Sequence, residues 1–348
     1  MLAAVLNKPG DLEIREVPDP KPGAGELVVK VGATTLCGSD VRIHLGQKTG
    51  GVGWPAVIGH EFAGTIGAIG AELVGFDVGD AVAVVPWIPC GACGACRTGH
   101  QNLCADLRIL GYQEPGALSE YVRVPADAVA AGLVFPVAGD VPAEYLALAE
   151  PLACVVHGHR RSDIQVGQRV LIIGGGPIGQ LHLQLALLAG AADVIVSEPS
   201  AMRREYAKRA GASRVVDPTA EDLRAAVAEE TGGLGVEHTI LCIGYGALVD
   251  EAIASTRLGG RVNLFAGFGG DGVAEVNVNL VHYRELDVIG NSGGTRDDYQ
   301  LALELITTGR VDVSAMVTDR FRLSDTAAAL SAAAAGDGMK VAVLPQDS

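Results

Sequence analysis

The pattern of apolar and polar positions at the start of the chain is that of short strands. Three runs rich in β-forming residues occupy 2–6, 12–17 and 26–31, and clusters of Pro and Gly, such as the one at 18–23, separate them. Short strands punctuated by turn residues are typical of a small β domain. The sequence therefore predicts a barrel-like β domain here.

The second half of the chain follows a different pattern, in which apolar strands alternate with helical stretches. A fully apolar strand at 169–173 runs into several glycines and then into a helical stretch. Six such strands with intervening helices predict an α/β fold with a doubly wound parallel sheet. The five later strands are predicted at 193–197, 214–217, 236–242, 260–266 and 286–290.

The last segment of the chain is expected to return to the β domain. Residues 296–348 predict a helix, an alanine-rich helix and a final strand at 340–344. We therefore expect one domain formed by 1–150 with 291–348, and a second formed by 151–290. A chain of 348 residues is long enough to bury two substantial cores.

Composition and charge narrow the class of partner. Hydrophobic residues make up 49% of the chain but aromatic residues only 4%, so the cores must be mainly aliphatic. The net charge of -15 disfavours nucleic acid or an anionic membrane as a partner. The first residues become polar too early for a signal peptide, and no apolar run reaches membrane-spanning length. We therefore expect a cytoplasmic protein.

Four cysteines lie close together in a glycine-rich stretch, at Cys90, Cys93, Cys96 and Cys104. The glycines between them let the backbone fold back, so that four thiolates can form the tetrahedron that zinc prefers. Disulfides at this density belong to short secreted proteins, so a metal site is favoured over a disulfide knot. Because protein ligands fill all four corners, this zinc is expected to brace a loop, and any reacting metal must lie elsewhere.

Glycines follow the strand at 169–173 with the spacing of a dinucleotide-binding fingerprint, between a strand and a helix as that motif requires. The first glycine allows a tight turn, the second lets the backbone approach a pyrophosphate, and the third lets the helix pack on the strand. The amino terminus of the helix then holds the phosphates. The predicted cofactor-binding residues here and past later strand ends are Gly174, Gly176, Pro177, Ile178, Gly179, Gly244 and Gly267.

The end of the next strand bears on which dinucleotide binds. Glu198 ends the strand at 193–197, and a carboxylate there accepts hydrogen bonds from the adenosine ribose and repels a 2'-phosphate. Arg203 and Arg204 follow on the next helix, where they are either solvated or placed to meet a phosphate, and Arg203 is also placed to cover the adenine. We interpret this segment as favouring NAD over NADP.

Three separated segments supply candidate ligands for a second metal. Cys37 precedes a Gly-Ser-Asp sequence, His60 lies in a Gly-His-Glu triplet, and Glu150 opens a Glu-Pro-Leu triplet. A thiolate, an imidazole and a carboxylate with one position left open are typical of catalytic zinc.

The Gly-His-Glu triplet contains a geometric conflict. Successive side chains of a strand point to opposite faces, so His60 and Glu61 can reach the same ion only if the backbone bends at this point. Gly59 makes such a bend possible. Glu61 is therefore either an inner ligand or a supporting group. Cys154 is a further candidate ligand, although a core position is favoured for it.

Five segments together resemble the zinc-dependent medium-chain dehydrogenase/reductase superfamily, over nearly the whole chain. The Glu-Pro-Leu triplet and the Ser-Glu-Pro-Ser sequence at 197–200 are most similar to the polyol branch, which contains the sorbitol, iditol and butanediol dehydrogenases. The resemblance implies a GroES-like barrel with the catalytic zinc, a Rossmann nucleotide domain, a cleft between them, and a homodimer or homotetramer. The segments are Cys37-Gly38-Ser39-Asp40, Gly59-His60-Glu61, the four-cysteine loop, Glu150-Pro151-Leu152 and the glycine fingerprint.

The resemblance assigns the catalytic zinc to Cys37, His60 and either Glu150 or Glu61. With the cysteine loop, this implies two zinc ions per subunit. Zinc lowers the pKa of a bound water to about 7, and the pKa of an alcohol in the same position is expected to fall similarly.

The resemblance also implies a path for the proton. Ser39 would pass the alcohol proton outward, and Asp40 would orient His60, since metal-bound histidines generally need such support. Many relatives carry a relay histidine at the position of Arg42, and His44 lies nearby. Either Arg42 or His44 could therefore be the residue that passes the proton on to solvent.

The implied activity is an NAD-dependent oxidation of a secondary alcohol to a ketone, with a polyol, sugar alcohol or cyclitol as substrate. The same ligand set serves threonine and other amino-alcohol dehydrogenases as well as butanediol dehydrogenases, so these are alternatives. A non-catalytic dinucleotide-binding protein is a remote alternative, because a fold alone does not establish activity. The intact Cys37, Ser39 and His60 favour the enzyme.

Overall fold

A computed structural model describes residues 1–270 and 272–347 of the chain. The chain forms two compact units, which we call unit 1 (Met1–Ala153 with Gly294–Ser348) and unit 2 (Cys154–Gly293). In the described residues, no helix combines the length and the apolar character that crossing a membrane requires.

Unit 1 begins with short strands and a few short helices. Its first part contains β1 (Leu2–Lys8), β2 (Asp11–Glu16), β3 (Leu27–Thr35), α1 (Gly38–His44), β4 (Ala56–Val57), β5 (Glu61–Ile69), β6 (Ala81–Val84), β7 (Trp87–Ile88), α2 (Gly94–Arg97), β8 (Arg108–Ile109), β9 (Tyr121–Val124), α3 (Ala126–Ala130), β10 (Val134–Pro136) and α4 (Ala143–Leu146).

A longer helix then leads into unit 2, and the tail returns to unit 1. The leading helix and unit 2 contain α5 (Ala149–Ser162), β11 (Arg169–Ile173), α6 (Pro177–Leu188), β12 (Asp193–Ser197), α7 (Ala201–Arg209), β13 (Arg214–Val216), α8 (Leu223–Thr231), β14 (Val236–Leu241), α9 (Leu248–Ser255), β15 (Thr256–Leu264), α10 (Val278–Tyr283) and β16 (Asp287–Gly290). The tail contains α11 (Arg296–Thr307), β17 (Val317–Arg322), α12 (Thr326–Ala335) and β18 (Lys340–Leu344).

The largest sheet of unit 1 contains strands from both ends of the chain. Its order is β10-β6-β5-β3-β18-β17, and β9 also pairs with β3. The tail strand β18 lies antiparallel to β3, with Ala342 opposite Thr35. A core cluster joins early residues such as Leu6 and Ile58 to Leu330 and Val343 of the tail. The last segment is therefore an integral part of unit 1.

Two parts of unit 1 differ from the predicted strands. Residues 111–124 have strand character in the sequence, but only Tyr121–Val124 is a strand. Residues 111–120 form turns, bends and isolated bridges, and the backbones of Gly111 and Gly116 lie against Gly59. The tail also contains β17, which the sequence did not predict. This strand lies at the edge of its sheet, and its only apolar residues are Val317 and Phe321, so it lacks a continuous apolar run.

Unit 2 contains a six-stranded parallel sheet of order β13-β12-β11-β14-β15-β16. In this order the first strand lies in the middle and the direction of winding reverses beside it, which is the doubly wound arrangement. The predicted fold class is therefore confirmed. Ligands of such sheets bind outside the carboxyl ends of the strands where the order reverses, here β11 and β14.

Candidate functional site

The four cysteines of the loop converge on one point. Their sulfur atoms all lie within 4.8 Å of one another. The sulfurs of Cys93 and Cys104 are 3.9 Å apart, and all four residues carry free thiols. Four sulfurs at this spacing fit a tetrahedral zinc ion and exclude the disulfide alternative.

Backbone amides prepare this loop for thiolate charge. The N–H groups of Cys90 and Asp106 donate to the sulfur of Cys104 over 3.2 and 3.4 Å. The N–H groups of Cys96 and Ala105 lower the pKa of Cys93 to about 6. Burial, in contrast, raises the pKa of Cys96 to about 12, so the loop holds several thiolates together only when a cation balances them.

A second cluster joins residues that lie far apart in the sequence. Ligand atoms of Cys37, His60 and Glu61 all lie within 4.8 Å of one another. Cys37 directly precedes α1, His60 directly precedes β5, and Glu61 is the first residue of β5. His60 and Glu61 are only 6% and 1% exposed, so the cluster lies inside unit 1.

Gly59 resolves the conflict between His60 and Glu61. Its φ angle is +95°, in the region that favours glycine, and an added Cβ would lie 3.0 Å from the backbone nitrogen of Leu118. The strand starts only at Glu61, so the alternation of faces does not apply to His60. Both side chains therefore reach the same point.

Asp40 fixes the orientation of His60. Its fully buried carboxylate lies 3.3 Å from Nδ1 of His60, and it accepts the N–H groups of Cys37 at 2.9 Å and Gly59 at 3.3 Å. Burial alone would lower the pKa of His60, but Asp40 and the Cys37 sulfur hold that pKa well above its usual value. With Nδ1 facing Asp40, Nε2 is the nitrogen available to a metal.

Lys340, which sequence reasoning missed, neutralises Glu61. Its ammonium lies 2.6 Å from Oε1 of Glu61 and also contacts Oε2, which accepts the hydroxyl of Thr35. Lys340 donates to the carbonyl of Leu36 at 3.1 Å as well, and it is only 6% exposed. No spacing could reveal a pair 279 residues apart; the available signal was a single lysine at the start of an apolar strand.

Glu150 lies near this cluster but outside its tightest part. It is the second residue of α5 and is 7% exposed. Burial raises the pKa of Glu150 to about 7; His60 opposes the increase and the Glu61 carboxylate adds to it. In the part of the chain that the structure describes, the 4.8 Å cluster includes neither Glu150 nor Cys154.

The donor atoms of this second cluster suit zinc. A thiolate, an imidazole and carboxylates are its usual ligands, and Asp40 gives His60 the support that metal-bound histidines have. The raised pKa of Glu150 shows that the protein alone does not supply enough positive charge to ionise this carboxyl fully near neutral pH. A divalent cation would supply that charge.

The glycine fingerprint has the close contacts that the motif requires. Gly174 has a φ of +100° directly after β11, and an added Cβ on Gly179 would lie 1.9 Å from the carbonyl of Gly174. Pro177 is the first residue of α6 and Ile178 the second. Further along, an added Cβ on Gly244 would lie 2.1 Å from the carbonyl of Gly267, so the loops after β14 and β15 touch through glycine.

The two arginines after β12 have different surroundings. Arg204 forms an ion pair with Asp217 at 2.8 Å and donates to the carbonyl of Glu198, so it holds the loop together. Arg203 approaches the fingerprint: a Cβ added to Gly176 would lie 3.5 Å from its guanidinium. Of the two, Arg203 is therefore the one beside the dinucleotide motif.

The Glu198 carboxylate already accepts two backbone N–H groups, those of Gly175 at 2.8 Å and Ser200 at 2.9 Å. It is 4% exposed. A carboxylate has about four lone-pair sites, so two remain for ribose hydroxyls.

Two family models match the chain. One, described as the alcohol dehydrogenase GroES-like domain, matches residues 23–134, and the other, described as zinc-binding dehydrogenase, matches residues 177–308. They confirm the predicted GroES-like and zinc-dependent dehydrogenase character.

Relatives match over nearly their whole length. An L-threonine 3-dehydrogenase of Pyrococcus horikoshii is 34% identical over 92% of both chains. A sorbitol dehydrogenase of Bacillus subtilis is 31% identical over 99% of this chain and 97% of its own. A crystal structure from Sinorhizobium meliloti, described as a zinc-binding dehydrogenase bound to NADP, superposes with a TM-score of 0.93 at 33% identity and covers 99% of both chains.

Proposed function

Because this chain belongs to the zinc-binding alcohol dehydrogenase family, we propose that it oxidises a secondary alcohol to a ketone with NAD as the hydride acceptor. Zinc and a nicotinamide dinucleotide are the cofactors of this family member, and its substrates are small molecules. The observation that carries the proposal is the cluster of the half-buried Cys37 with the buried His60 and Glu61, with Asp40 behind the imidazole.

In this proposal Cys37, His60 and Glu150 hold the catalytic zinc, and Glu61 supports them. Glu61 already has Lys340 as its counter-charge, whereas burial leaves the pKa of Glu150 at about 7 until a cation lies beside it. A zinc ion with an open position acts as a Lewis acid that makes a hydroxyl easier to deprotonate.

Ser39 is proposed to take the proton of the alcohol. Its hydroxyl is buried and lies 3.5 Å from Nε2 of His60, on the metal side of the imidazole. Ser39 belongs to α1, and the same helix carries both half-buried relay candidates, Arg42 and His44.

The choice of NAD rests on Glu198. Its carboxylate is held in place by two amides directly beside the fingerprint, where a 2'-phosphate would meet its charge. Among the described residues, Arg203 lies beside the fingerprint and would favour NADP, and the Sinorhizobium meliloti structure contains NADP. The values of kcat/KM with NAD and with NADP measure which of the two residues determines the preference.

The substrate is proposed to be a polyol, sugar alcohol or cyclitol, on the basis of the Glu-Pro-Leu triplet and the sorbitol dehydrogenase relative. The L-threonine 3-dehydrogenase relative, at 34% identity, supports an amino-alcohol as the second candidate, and butanediol is the third. The exposed strand β16 lies at the edge of its sheet, where a strand of another subunit could pair with it, which supports a homodimer or homotetramer. A cytoplasmic location is also part of the proposal.

Steady-state rates with a panel of alcohols test this function. Sorbitol, inositol, 2,3-butanediol, L-threonine and a primary alcohol are each offered with NAD and with NADP, and Cys37→Ser serves as the inactive control. We expect turnover of at least one secondary alcohol and a higher kcat/KM with NAD. Activity confined to primary alcohols, or complete preference for NADP, would contradict the proposal.

A further inference from the structure

We propose that the substrate carries a carboxylate or phosphate group and that Lys48 and Tyr112 bind this anion beside the zinc site. The inference rests on the proposed oxidation of a secondary alcohol and narrows its substrate class. Neither residue belongs to the predicted metal or dinucleotide sites.

Tyr112 lies between Lys48 and the cluster of Cys37, His60 and Glu61. Its ring meets the ring of His60 edge-on, with centroids 5.6 Å apart and planes at 72°. The Lys48 ammonium lies 4.5 Å from the centre of the Tyr112 ring and 3.0 Å from its hydroxyl oxygen. The ammonium therefore lies no farther from the centre of the imidazole ring than the sum of these two distances to the Tyr112 ring centre. A small molecule can span that separation.

Lys48 has no acidic partner among the described residues. Among the described residues its ammonium forms one hydrogen bond, to the Tyr112 hydroxyl, and no ion pair with a carboxylate. The other described lysines without an ion pair, Lys8, Lys21 and Lys30, are exposed, whereas Lys48 is half-buried. A half-buried ammonium loses part of its hydration, and an anion is the group that best compensates this loss.

The Tyr112 hydroxyl supplies a second donor. Its oxygen accepts the hydrogen bond from Lys48, so its own proton is directed elsewhere, and no acceptor for it is found among residues 1–270 and 272–347. Tyr112 is only 8% exposed. A phenol proton and an ammonium side by side can hold two oxygens of one carboxylate or phosphate.

The backbone fixes both donors in place. The N–H of Lys48 donates to the carbonyl of Arg42 in α1 at 3.1 Å, and the N–H of Gly53 donates to the carbonyl of Tyr112 at 2.9 Å. The Tyr112 N–H is itself bonded to the carbonyl of Ile109 at 3.0 Å. The segment that carries Lys48 is thereby tied to the same framework as Tyr112 and α1, which limits the ordering cost of binding an anion.

Matched substrate pairs test the proposal with the zinc-loaded enzyme and NAD. Each pair differs by one anionic group: 2,3-butanediol against 2,3-dihydroxybutanoate for a carboxylate, and sorbitol against sorbitol 6-phosphate for a phosphate. We expect kcat/KM to favour the anionic member of at least one pair. In Lys48→Met this advantage should fall about 10- to 100-fold, mainly through KM, because hydrogen bonds to charged groups have that strength.

Three further variants separate binding from folding. Lys48→Arg should retain most of the advantage, and Tyr112→Phe should lose part of it. Lys21→Met removes an exposed lysine of the same unit and should leave both pairs unchanged. Equal thermal midpoints of Lys48→Met and wild type would show that the change acts on the substrate.

The possible outcomes distinguish a failure of this inference from a failure of the proposed function on which it rests. If neutral alcohols are oxidised at least as well as their anionic partners, and Lys48→Met affects both members of a pair equally, the inference is wrong and the proposed oxidation stands. If no secondary alcohol, neutral or anionic, is oxidised by the zinc-loaded enzyme, both fail.

Discussion

At the level of single residues, the metal cluster contains two buried carboxylates with different tasks. Asp40 bonds to the backbone on both sides of the cluster and faces His60, whereas Glu61 is paired with the ammonium of Lys340. We therefore expect Asp40 to act on metal affinity through the imidazole, and Lys340 to act on the stability of unit 1 through its buried pair with Glu61.

Replacing Asp40 by asparagine should weaken zinc binding at the cluster. The amide can still accept the N–H group of Cys37, but it no longer stabilises positive charge on the metal-bound His60. We expect metal affinity and kcat to fall about 10- to 100-fold, as for other partners of metal-bound histidines. Metal analysis of the dialysed protein and steady-state kinetics measure the two effects.

Asp298→Asn is the matched control for this variant. Asp298 is another buried carboxylate of unit 1, and it caps α11. It should affect stability without changing the zinc content, and equal zinc loss in both variants would contradict the role given to Asp40.

Lys340→Met should leave the carboxylate of Glu61 buried without its counter-charge. Removing one partner of a buried ion pair typically costs about 3–5 kcal/mol of unfolding free energy. The double variant Lys340→Met/Glu61→Gln should recover a large part of that loss. Urea denaturation of the whole chain measures the unfolding free energy of the single and the double variant. Lys30→Met, at an exposed lysine of the same unit, is the control. A cost below about 1 kcal/mol would show that the pair contributes little.

The residues that could be predicted were those with recognisable donor chemistry. Cys37 and His60 stand in short polar motifs, and the four loop cysteines have a spacing that few other functions require. Lys340, Lys48 and Tyr112 carry no such signal, because their roles arise from contacts between segments that only the folded chain brings together.

At the level of helices and strands, α5 and α6 bury two histidines in unit 2. His182 is fully buried and meets the ring of Phe265 edge-on, with centroids 4.6 Å apart. Burial, together with a smaller contribution from His159, lowers the pKa of His182 to about 3. Burial also lowers the pKa of His159 to about 4. Both are therefore neutral at pH 7 in the folded protein.

Acidification should destabilise unit 2 through these histidines. Their pKa values are lower in the folded than in the unfolded state, so the unfolded chain binds more protons below about pH 6.5. From pH 7 to pH 5 each should remove about 2 kcal/mol of unfolding free energy. His182→Leu should reduce this pH dependence by about that amount, as measured by urea denaturation at the two pH values.

The exposed His100 provides the comparison, since His100→Leu should leave the pH dependence unchanged. If His182→Leu and wild type lose equal stability between pH 7 and pH 5, His182 is not the responsible group.

The strands of unit 2 were the most predictable elements. Strands covered on both faces are continuous apolar runs, as in β11 and β12, and their bounds agree with the prediction. β15 begins at Thr256, four residues before the predicted strand at 260–266. Thr256 pairs with Val236 of β14, although no apolar run in the sequence marks this part of the strand. The polar edge strand β17 was missed for a related reason: strand pairing there does not depend on a buried apolar run.

At the level of the whole molecule, we propose separate tasks for the two candidate metal sites of unit 1. We expect two zinc ions per chain. Cys93→Ser should remove one ion and lower the thermal midpoint by about 10 °C or more, because a structural zinc contributes directly to folding. Cys37→Ser should remove the other ion and abolish turnover with little change in the midpoint. Elemental analysis and thermal unfolding of both variants check this division, which fails if either variant loses both ions.

The position of β18 has a consequence for folding of the nascent chain. Lys340 must reach Glu61 across 279 residues, and β18 must pair with β3, before the barrel is complete. Domains generally fold as units while a ribosome delivers the chain from its amino terminus. We therefore expect unit 2 to fold during translation before unit 1 is complete, and a chain interrupted before β18 to lack an intact candidate zinc site.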